Sequence, residues 1–413
     1  MKRKLLATVL SVAMVATVFT GCGSTKTDAP ADDAAATDDA AATDDAAADD
    51  AAADDAATTD DAATDDTTDD AADDTADDAS ADDAAATGEG GLIGVAMPTK
   101  DLQRWNQDGT NMKEELEAAG YDVDLQFASN DIATQVSQVE NMINNGCQVL
   151  VIASIDGDSL GTVLAQAKEK NIPVIAYDRL IMNSDAVSYY ATFDNYLVGK
   201  TQGQYIVDQL DLDNQDGPFN MEIVTGDPGD NNVNFFYGGA MDVLQPYIDA
   251  GKLVIPSGQV AKEDVATANW ATETAQARFE NILSSYYTDK DLDVVLASND
   301  STALGVANAL ASNYTGKYPI LTGQDCDVAS VKNIIAGKQS MSIFKDTRAL
   351  AAQVVIMVES IMKGEEAPVN DTETYDNGTG VIPSYLCEPV FADANNYKEL
   401  LIDSGYYTED DLK

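Results

Sequence analysis

Polar side chains recur directly after short apolar runs along this 413-residue chain. The residues at these places are Lys100, Arg104, Asp178, Arg179, Asp230, Asn231, Asn232, Asn299, Asp325 and Lys345. Each hydroxyl of a polyol both donates and accepts a hydrogen bond, so a mixture of carboxylates, amides and cations suits such a ligand. Trp105 and Trp270 can add apolar faces for stacking. The inventory predicts a site for a neutral, hydroxyl-rich molecule.

Charge balance in this set argues against an anionic ligand. A phosphate or an amino acid calls for a dominant cationic or helix-N-terminal site. The cations here are matched by carboxylates: Arg104, Arg179 and Lys345 against Asp178, Asp230 and Asp325. Asp300 precedes a helical pattern and is expected to be a helix N-cap. Trp270 has helix–sheet packing as its alternative role.

Catalytic and metal-binding motifs are weak. The chain has no His, which removes the commonest acid/base and metal ligand and argues against an enzyme. Ser159 lies in a GxSxG match but lacks a His partner, so we expect it to begin a helix. Residues 211–217 resemble a calcium loop with Glu222 at its twelfth position, but the Gly falls one place late. An ordinary acidic turn is favoured, and neither a metal nor a cofactor is expected.

Apolar runs alternate with segments of helical period from Gly91 onward, which predicts parallel strands joined by crossover helices in two successive sets. The predicted strands are Leu92–Pro98, Val123–Phe127, Gln148–Ala153, Val174–Tyr177, Met221–Thr225, Leu253–Ile255, Val294–Ala297, Ile320–Leu321 and Met341–Phe344. The predicted helices are Leu102–Ala119, Ile132–Asn145, Ser159–Lys170, Asn195–Leu210, Phe235–Ala250, Ala268–Tyr287, Ala303–Ser312, Val328–Ala336 and Thr347–Met362. The fold class is therefore α/β, with two similar doubly wound lobes whose ligands lie beyond the carboxyl ends of the strands.

The N-terminus predicts export and anchoring. Three basic residues precede an apolar run from Leu5 to Phe19, which is typical of a signal peptide over residues 1–21. Phe19-Thr-Gly-Cys22 resembles a lipobox, so Cys22 is the predicted lipidation site. Residues 22–87 are almost only Ala, Asp and Thr and are predicted to be a disordered linker.

Net charge excludes some classes of partner, and the cysteine content limits the possible disulfides and metal sites. Residues 88–413 hold 49 acidic against 19 basic residues, so about 30 net negative charges remain without the linker. This charge argues against nucleic acid or anionic lipid as a partner. Beyond Cys22 the chain has three cysteines, Cys147, Cys326 and Cys387. They show no metal-site spacing and permit at most one disulfide, between Cys326 and Cys387.

Taken together, several segments resemble the type I periplasmic-binding-protein family, and within it the xylose-binding and multiple-monosaccharide-binding receptors of ABC sugar importers. The resemblance runs from about Gly91 to Asn396. The segments are residues 93–100, 104–105, 138–142, 149–155, 176–180, 189–195, 230–232, 297–300, 323–325 and 344–346.

The resemblance implies a two-lobed cleft with crossovers near Thr192, Lys345 and Gly380. One lobe is expected to comprise residues 88–192 and 346–379, and the other 193–345 and 380–413. The implied sugar-binding residues are Lys100, Arg104, Asp178, Arg179, Asp230, Asn231, Asn232, Trp270, Asn299, Asp325 and Lys345. The expected protein is a monomeric lipoprotein on the outer face of the cell membrane that hands a monosaccharide to an ABC permease. The alternative is a receptor that presents its closed form to a chemoreceptor or sensor kinase.

Overall fold

The computed structural model describes residues 90–413. The predicted signal peptide, the lipidation site Cys22 and the linker lie outside the described residues. Among residues 90–413 we find no helix with the length and apolar character that a membrane crossing requires.

The first sheet has six parallel strands. They are β1 (Leu92–Met97), β2 (Asp122–Phe127), β3 (Val149–Ile152), β4 (Val174–Tyr177), β5 (Val187–Phe193) and β11 (Ser384–Cys387). Their spatial order is β11-β5-β4-β3-β1-β2. Helices α1 (Gln103–Ala118) and α10 (Thr347–Met362) pack on one face, and α2 (Ile132–Asn144) and α3 (Gly161–Glu169) pack on the other. Strands β3 and β4 read VLVI and VIAY and are fully buried, as expected for parallel strands covered on both faces.

The second sheet has four parallel strands. They are β6 (Phe219–Val224), β7 (Leu253–Val254), β8 (Val294–Ala297) and β9 (Ile320–Leu321), in the order β7-β6-β8-β9. Helices α4 (Asn195–Leu210) and α5 (Asn232–Asp249) contribute to the core on one face, and α7 (Thr272–Tyr286) and α8 (Asp300–Asn313) to the core on the other. The remaining helices are α6 (Lys262–Val265), a 3-10 turn (Ala268–Trp270) and α9 (Val328–Ile335).

An antiparallel pair completes the second lobe. Strand β10 (Met341–Phe344) pairs with β12 (Val390–Asp393), and a bridge between Gln324 and Ile343 continues the pairing towards β9. A π-helical segment (Lys398–Asp403) follows β12 and packs against this pair. The predicted fold class is confirmed by this arrangement.

Three crossovers connect the two lobes. The chain passes from β5 to α4 at Asp194, and from β10 to α10 at Lys345 and Asp346. Both aspartates cap the helix that follows, with Asp194 accepting from the Leu197 amide at 2.9 Å. The third crossover falls after Cys387 and not near Gly380, because β11 pairs with β5 in the first sheet. The lobe boundaries deduced from the sequence otherwise stay a prediction.

The structure corrects the predicted start of α3, and it describes the cysteines and Glu222, whose roles the sequence left open. Helix α3 begins at Gly161, while the Ser159 hydroxyl donates to the Asp156 carbonyl in the preceding turn. Cys326 and Cys387 are free, so no disulfide joins them. Glu222 lies in β6, within the predicted strand, and its carboxylate accepts from the hydroxyls of Ser257 and Tyr287. Strands β5, β11 and β12 are further elements that the sequence pattern did not predict.

Helices α4 and α5 approach each other closely through glycines. A Cβ built on Gly199 would lie 2.0 Å from the Phe236 carbonyl oxygen, and one on Gly239 would lie 2.2 Å from the Tyr196 carbonyl oxygen. A Cβ on the neighbouring Gly238 would meet no atom within 4 Å. Only glycine therefore fits where the backbones of α4 and α5 meet. The two packed helices cover one face of the second sheet.

We expect Gly239→Ala to lower the free energy of unfolding by about 2 kcal/mol or more, because the added methyl group separates α4 from α5. Gly238→Ala is the matched control. It should leave stability unchanged or raise it by up to about 1 kcal/mol through helix propensity. Urea denaturation of both variants measures the difference, and equal stabilities would contradict the close approach.

Candidate functional site

A cavity lies between the two lobes. It is lined by residues that follow strands β1, β4, β6, β8, β9 and β10. Nine of the eleven predicted binding residues line it: Arg104, Asp178, Arg179, Asp230, Asn232, Trp270, Asn299, Asp325 and Lys345. The carboxyl ends of the strands in both sheets therefore converge on one site, as the α/β pattern predicts.

The other two predicted residues lie away from this cavity. Lys100 is exposed, and its ammonium group lies 4.8 Å from the centre of the Phe127 ring. Asn231 is half-buried and accepts a hydrogen bond from the Asn234 amide at 3.0 Å. Their residue types suit a sugar, but the strand-end pattern does not specify which of two neighbouring residues points inward.

Arg104 is the centre of a buried ion-pair network. Its Nη2 lies 2.7 Å from Asp178 Oδ2, its Nε lies 2.8 Å from Asp108 Oδ2, and its Nη1 lies 3.4 Å from Asp325 Oδ1. Lys345 Nζ shares the same Asp325 oxygen at 2.9 Å. Since Arg104 belongs to the first lobe and Asp325 to the second, this network joins the lobes across the cleft.

The network fixes the charge of its members. Burial alone would lower the pKa of Arg104, but the surrounding carboxylates, Asp108 first, raise that pKa well above its ordinary value. Burial alone would raise the pKa of Asp178, but Arg104 and Lys345 outweigh burial and lower that pKa. Both groups are therefore charged at neutral pH, and each charge is already compensated by the protein.

A second ion pair lies beside the first. Arg179 Nε is 2.9 Å from Asp230 Oδ2, and Arg179 Nη1 donates to the carbonyls of Ser154 and Ile155. The guanidinium groups of Arg104 and Arg179 lie 4.6 and 5.0 Å from the Trp105 ring. Trp105 thus holds both cations in place by cation–π contact. No cation that lines the cavity is left without a carboxylate.

Three cavity residues have left-handed backbone conformations. The φ angles are +58° at Asp178, +56° at Trp270 and +99° at Asp325. Side chains larger than glycine rarely adopt this region, and such strain is typical of functional sites where surrounding contacts enforce it. At Asp178 the enforcing contacts are visible, because its carbonyl accepts from Tyr190, Thr192 and Asn232 at 2.6, 3.0 and 2.8 Å.

Asn232 takes part in this support. Its Nδ2 donates to the Asp178 carbonyl, and its Oδ1 accepts from the Asn195 amide at 3.1 Å. The Asn232 Oδ1 also lies 3.1 Å from the Tyr190 hydroxyl, whose single proton it shares with the Asp178 carbonyl. These bonds join α5 of the second lobe to strands of the first. The position of Asn232 indicates that it holds the backbone of Asp178.

Trp270 packs on the backbone of Gly226. A Cβ built on Gly226 would lie 2.0 to 2.2 Å from three atoms of the Trp270 ring. The ring is 4% exposed, and its Nε1 is buried without a hydrogen-bond partner among residues 90–413. Because Gly226 has no side chain, the Trp270 indole can pack against its backbone at the cavity wall. The indole N–H donates to no residue in the described part of the chain.

The N-cap of α8 is Asn299 and not Asp300, which corrects the expectation from the sequence. Asn299 is the N-cap of α8 and forms a capping box with Thr302, although it also lines the cavity. Asp300 is buried in the first turn, where its carboxylate accepts from Ser342, Gln339 and the Asp327 amide. Burial raises the pKa of Asp300 well above its ordinary value.

Six further residues line the cavity that the strand-end pattern did not include in the predicted binding set: Leu102, Trp105, Phe236, Ser301, Gln324 and Asp327. Asp327 Oδ1 is buried, and its carboxylate has no hydrogen bond within the described residues. Burial, with repulsion from Asp325, raises the pKa of Asp327 to about 7. The sequence signal that could have identified Asp327 is its position two residues after Asp325 in the same loop.

The arrangement suits binding more than bond cleavage. Carboxylates, guanidinium groups and an ammonium group alternate around a small enclosed space beside aromatic rings. Among residues 90–413, no group of His, Cys, Asp or Glu side chains has the geometry to hold a metal ion. Paired charges of this kind donate to and accept from hydroxyl groups without a change in net charge.

Known proteins that are similar to this chain are binding proteins. A model of the periplasmic binding protein domain matches residues 93–366. The multiple sugar-binding periplasmic receptor ChvE of Rhizobium radiobacter is 53% identical over 327 residues, which cover 78% of this chain and 92% of that protein. The D-xylose-binding periplasmic protein of Escherichia coli is 37% identical over 321 residues, which cover 78% and 92%.

A solved structure is also similar. It is an ABC transporter solute-binding protein from Clostridium phytofermentans with bound β-D-glucose, which shares 74% sequence identity with this chain. The match has a TM-score of 0.77 and covers 78% of this chain and all of the other.

We expect Gly226→Ala to displace the Trp270 ring, because a methyl group cannot occupy the space of the indole. Tryptophan emission should move to longer wavelength, and the free energy of unfolding should fall by about 1–3 kcal/mol. The chain has two tryptophans, Trp105 and Trp270, so the signal is specific to the cavity. Gly238→Ala is the control, and an unchanged spectrum in Gly226→Ala would contradict the packing.

Proposed function

This chain belongs to the periplasmic binding protein family, and from that membership we propose that it is an extracytoplasmic sugar-binding protein of an ABC importer. It captures a monosaccharide such as glucose or xylose between its lobes and delivers it to the permease. Relatives that bear sugar-binding names support this role over catalysis.

The observation that carries the proposal is that every cation lining the cavity is already paired. Arg104, Arg179 and Lys345 each lie within 3 Å of a carboxylate oxygen. An anionic ligand would have to displace one of these buried carboxylates, which is costly. A neutral sugar can instead donate to the carboxylates and accept from the cations while the ion pairs stay intact.

The proposed contacts come from both lobes. Arg104, Asp178 and Arg179 hold one side of the sugar, and Asp230, Asn299, Asp325 and Lys345 hold the other. Trp270 supplies an apolar face and an indole N–H for a ring C–H group or oxygen. Because one ligand contacts both lobes, binding favours the closed arrangement over an open one.

Isothermal titration of the full chain with D-glucose, D-xylose, D-galactose and L-arabinose tests this function. We expect saturable heat with at least one of these sugars and a stoichiometry of one per chain. Asp325→Ala should weaken binding by about 30-fold or more, or about 2 kcal/mol, because it leaves buried Lys345 without its nearest carboxylate.

Asp185→Ala is the matched control for loss of a carboxylate. Asp185 pairs with Lys168 on the surface, and its side chain is 70% exposed. The affinity of the Asp185→Ala variant for sugar should stay within twofold of that of the unmodified chain. Absence of heat with all four sugars would refute the monosaccharide proposal.

We also propose that Cys22 is acylated and that residues 22–87 tether the folded part to the outer face of the membrane. The apolar run before Cys22 and the lipobox-like Phe19-Thr-Gly-Cys22 support this. A neutral coil of about 65 residues spans roughly 45 Å, at about 5–6 Å times the square root of its length.

Substitution of Cys22 by Ser tests the tether. The unmodified chain should partition into the detergent phase of a Triton X-114 separation after expression in a lipoprotein-processing bacterium. Cys22→Ser should partition into the aqueous phase, while Cys147→Ser, which alters a buried thiol, should not change partitioning. Equal partitioning of the Cys22 variant and the unmodified chain would rule out acylation.

A further inference from the structure

The C-terminal segment lies beyond the residues that match the family model, yet one of its side chains reaches both lobes. Tyr407 is 7% exposed and packs in a cluster with Val331, Phe344, Ala392 and Leu401, which belong to the second lobe and its tail. The family match ends at residue 366. The family model therefore does not cover Tyr407.

The Tyr407 hydroxyl makes three hydrogen bonds. It accepts from Gln103 Nε2 at 2.7 Å and from Gln107 Nε2 at 3.2 Å, and it donates to the Cys326 carbonyl at 2.9 Å. A phenol oxygen has one donor and two acceptor positions, so all are used. Burial raises the pKa of Tyr407, which keeps the donated proton in place at neutral pH.

These bonds connect the two segments that carry the central charges of the cavity. Gln103 and Gln107 lie on α1 of the first lobe, on either side of Arg104. Cys326 directly follows Asp325 in the second lobe. Gln103 reinforces the link, because its Oε1 accepts from the Val328 amide at 3.1 Å.

The ion pair that Arg104 makes across the cleft is the longest of its three ion pairs. Arg104 lies 3.4 Å from Asp325 but only 2.7 Å from Asp178 of its own lobe. A shift of one lobe by a fraction of an ångström would separate Arg104 from Asp325. The bridge through Tyr407 attaches one residue away from each partner and opposes that shift.

We propose that Tyr407 is a positioning residue for sugar binding, which keeps Arg104 and Asp325 in register across the closed cleft. The inference rests on the proposed function. Tyr407 does not line the cavity, so it acts through α1 and the segment that contains Cys326. Opening the cleft must break its bonds to Gln103 and Gln107, which slows release of the sugar.

Stopped-flow fluorescence of the full chain with D-glucose tests the inference, since both tryptophans line the cavity. In Tyr407→Phe, we expect the dissociation rate of glucose to rise about tenfold, while the association rate stays within twofold. A purely structural role would lower the stability of the free chain and leave the dissociation rate unchanged.

Tyr397→Phe is the matched control. Tyr397 belongs to the same segment and packs in the same cluster, but its hydroxyl makes no hydrogen bond within the described residues. Its dissociation rate should equal that of the unmodified chain. Gln103→Met is a second variant, which removes the other partner of the hydrogen bond without changing the C-terminal segment. Gln103 is half-buried on α1, and we expect its replacement to raise the dissociation rate of glucose severalfold.

A dissociation rate within twofold of the unmodified value in both Tyr407→Phe and Gln103→Met would overturn the inference. An equal rise in Tyr397→Phe would also overturn it, because the effect would then come from general loosening of the tail. If glucose gives no signal, the same rates are measured with whichever of the four titrated sugars binds, and absence of a signal with all four would instead contradict the proposed function.

Discussion

The buried attraction between Arg104 and its three carboxylates is the interaction on which the site depends. An unpaired charge inside a protein costs several kcal/mol, so Arg104 can lie between the lobes only where Asp108, Asp178 and Asp325 surround it. Two of these carboxylates, Asp178 and Asp325, also line the cavity. The contacts that make the buried charge tolerable therefore also provide hydrogen-bond acceptors for hydroxyl groups.

Accurate placement of these charges requires a rigid second layer. The left-handed backbone at Asp178 is held by Tyr190, Thr192 and Asn232, and Gly226 lets Trp270 lie against the strand end. Each of these residues acts on a cavity residue and stands on a regular strand or helix or directly beside one. Unfavourable backbone angles persist at the site because the surrounding hydrogen bonds and packing compensate for them.

Residue pattern predicted most of the fold because buried parallel strands such as VLVI and VVLA have no other reading between helical segments. Strand β5 was missed because its sequence, VSYYATF, mixes polar and aromatic residues that serve the hinge. Strands β11 and β12 are four residues long and depend on partners distant in sequence. At the site, residue type indicated the chemistry correctly, but side-chain direction could not be deduced, as Lys100 and Asn231 show. Asn232 and Tyr407 depend on contacts that only the tertiary structure creates.

The place where the chain enters the first lobe has a mechanical consequence. Gly90 donates to the Gly120 carbonyl, and β1 begins two residues later. The chain thus arrives at the amino end of a parallel strand, whereas the cavity lies beyond the carboxyl ends. A membrane tether that precedes Gly90 would pull on the first lobe alone and from the side opposite the cleft. The second lobe would remain free to rotate about the three crossovers. The cleft of an anchored molecule could therefore open and close without stretching the tether.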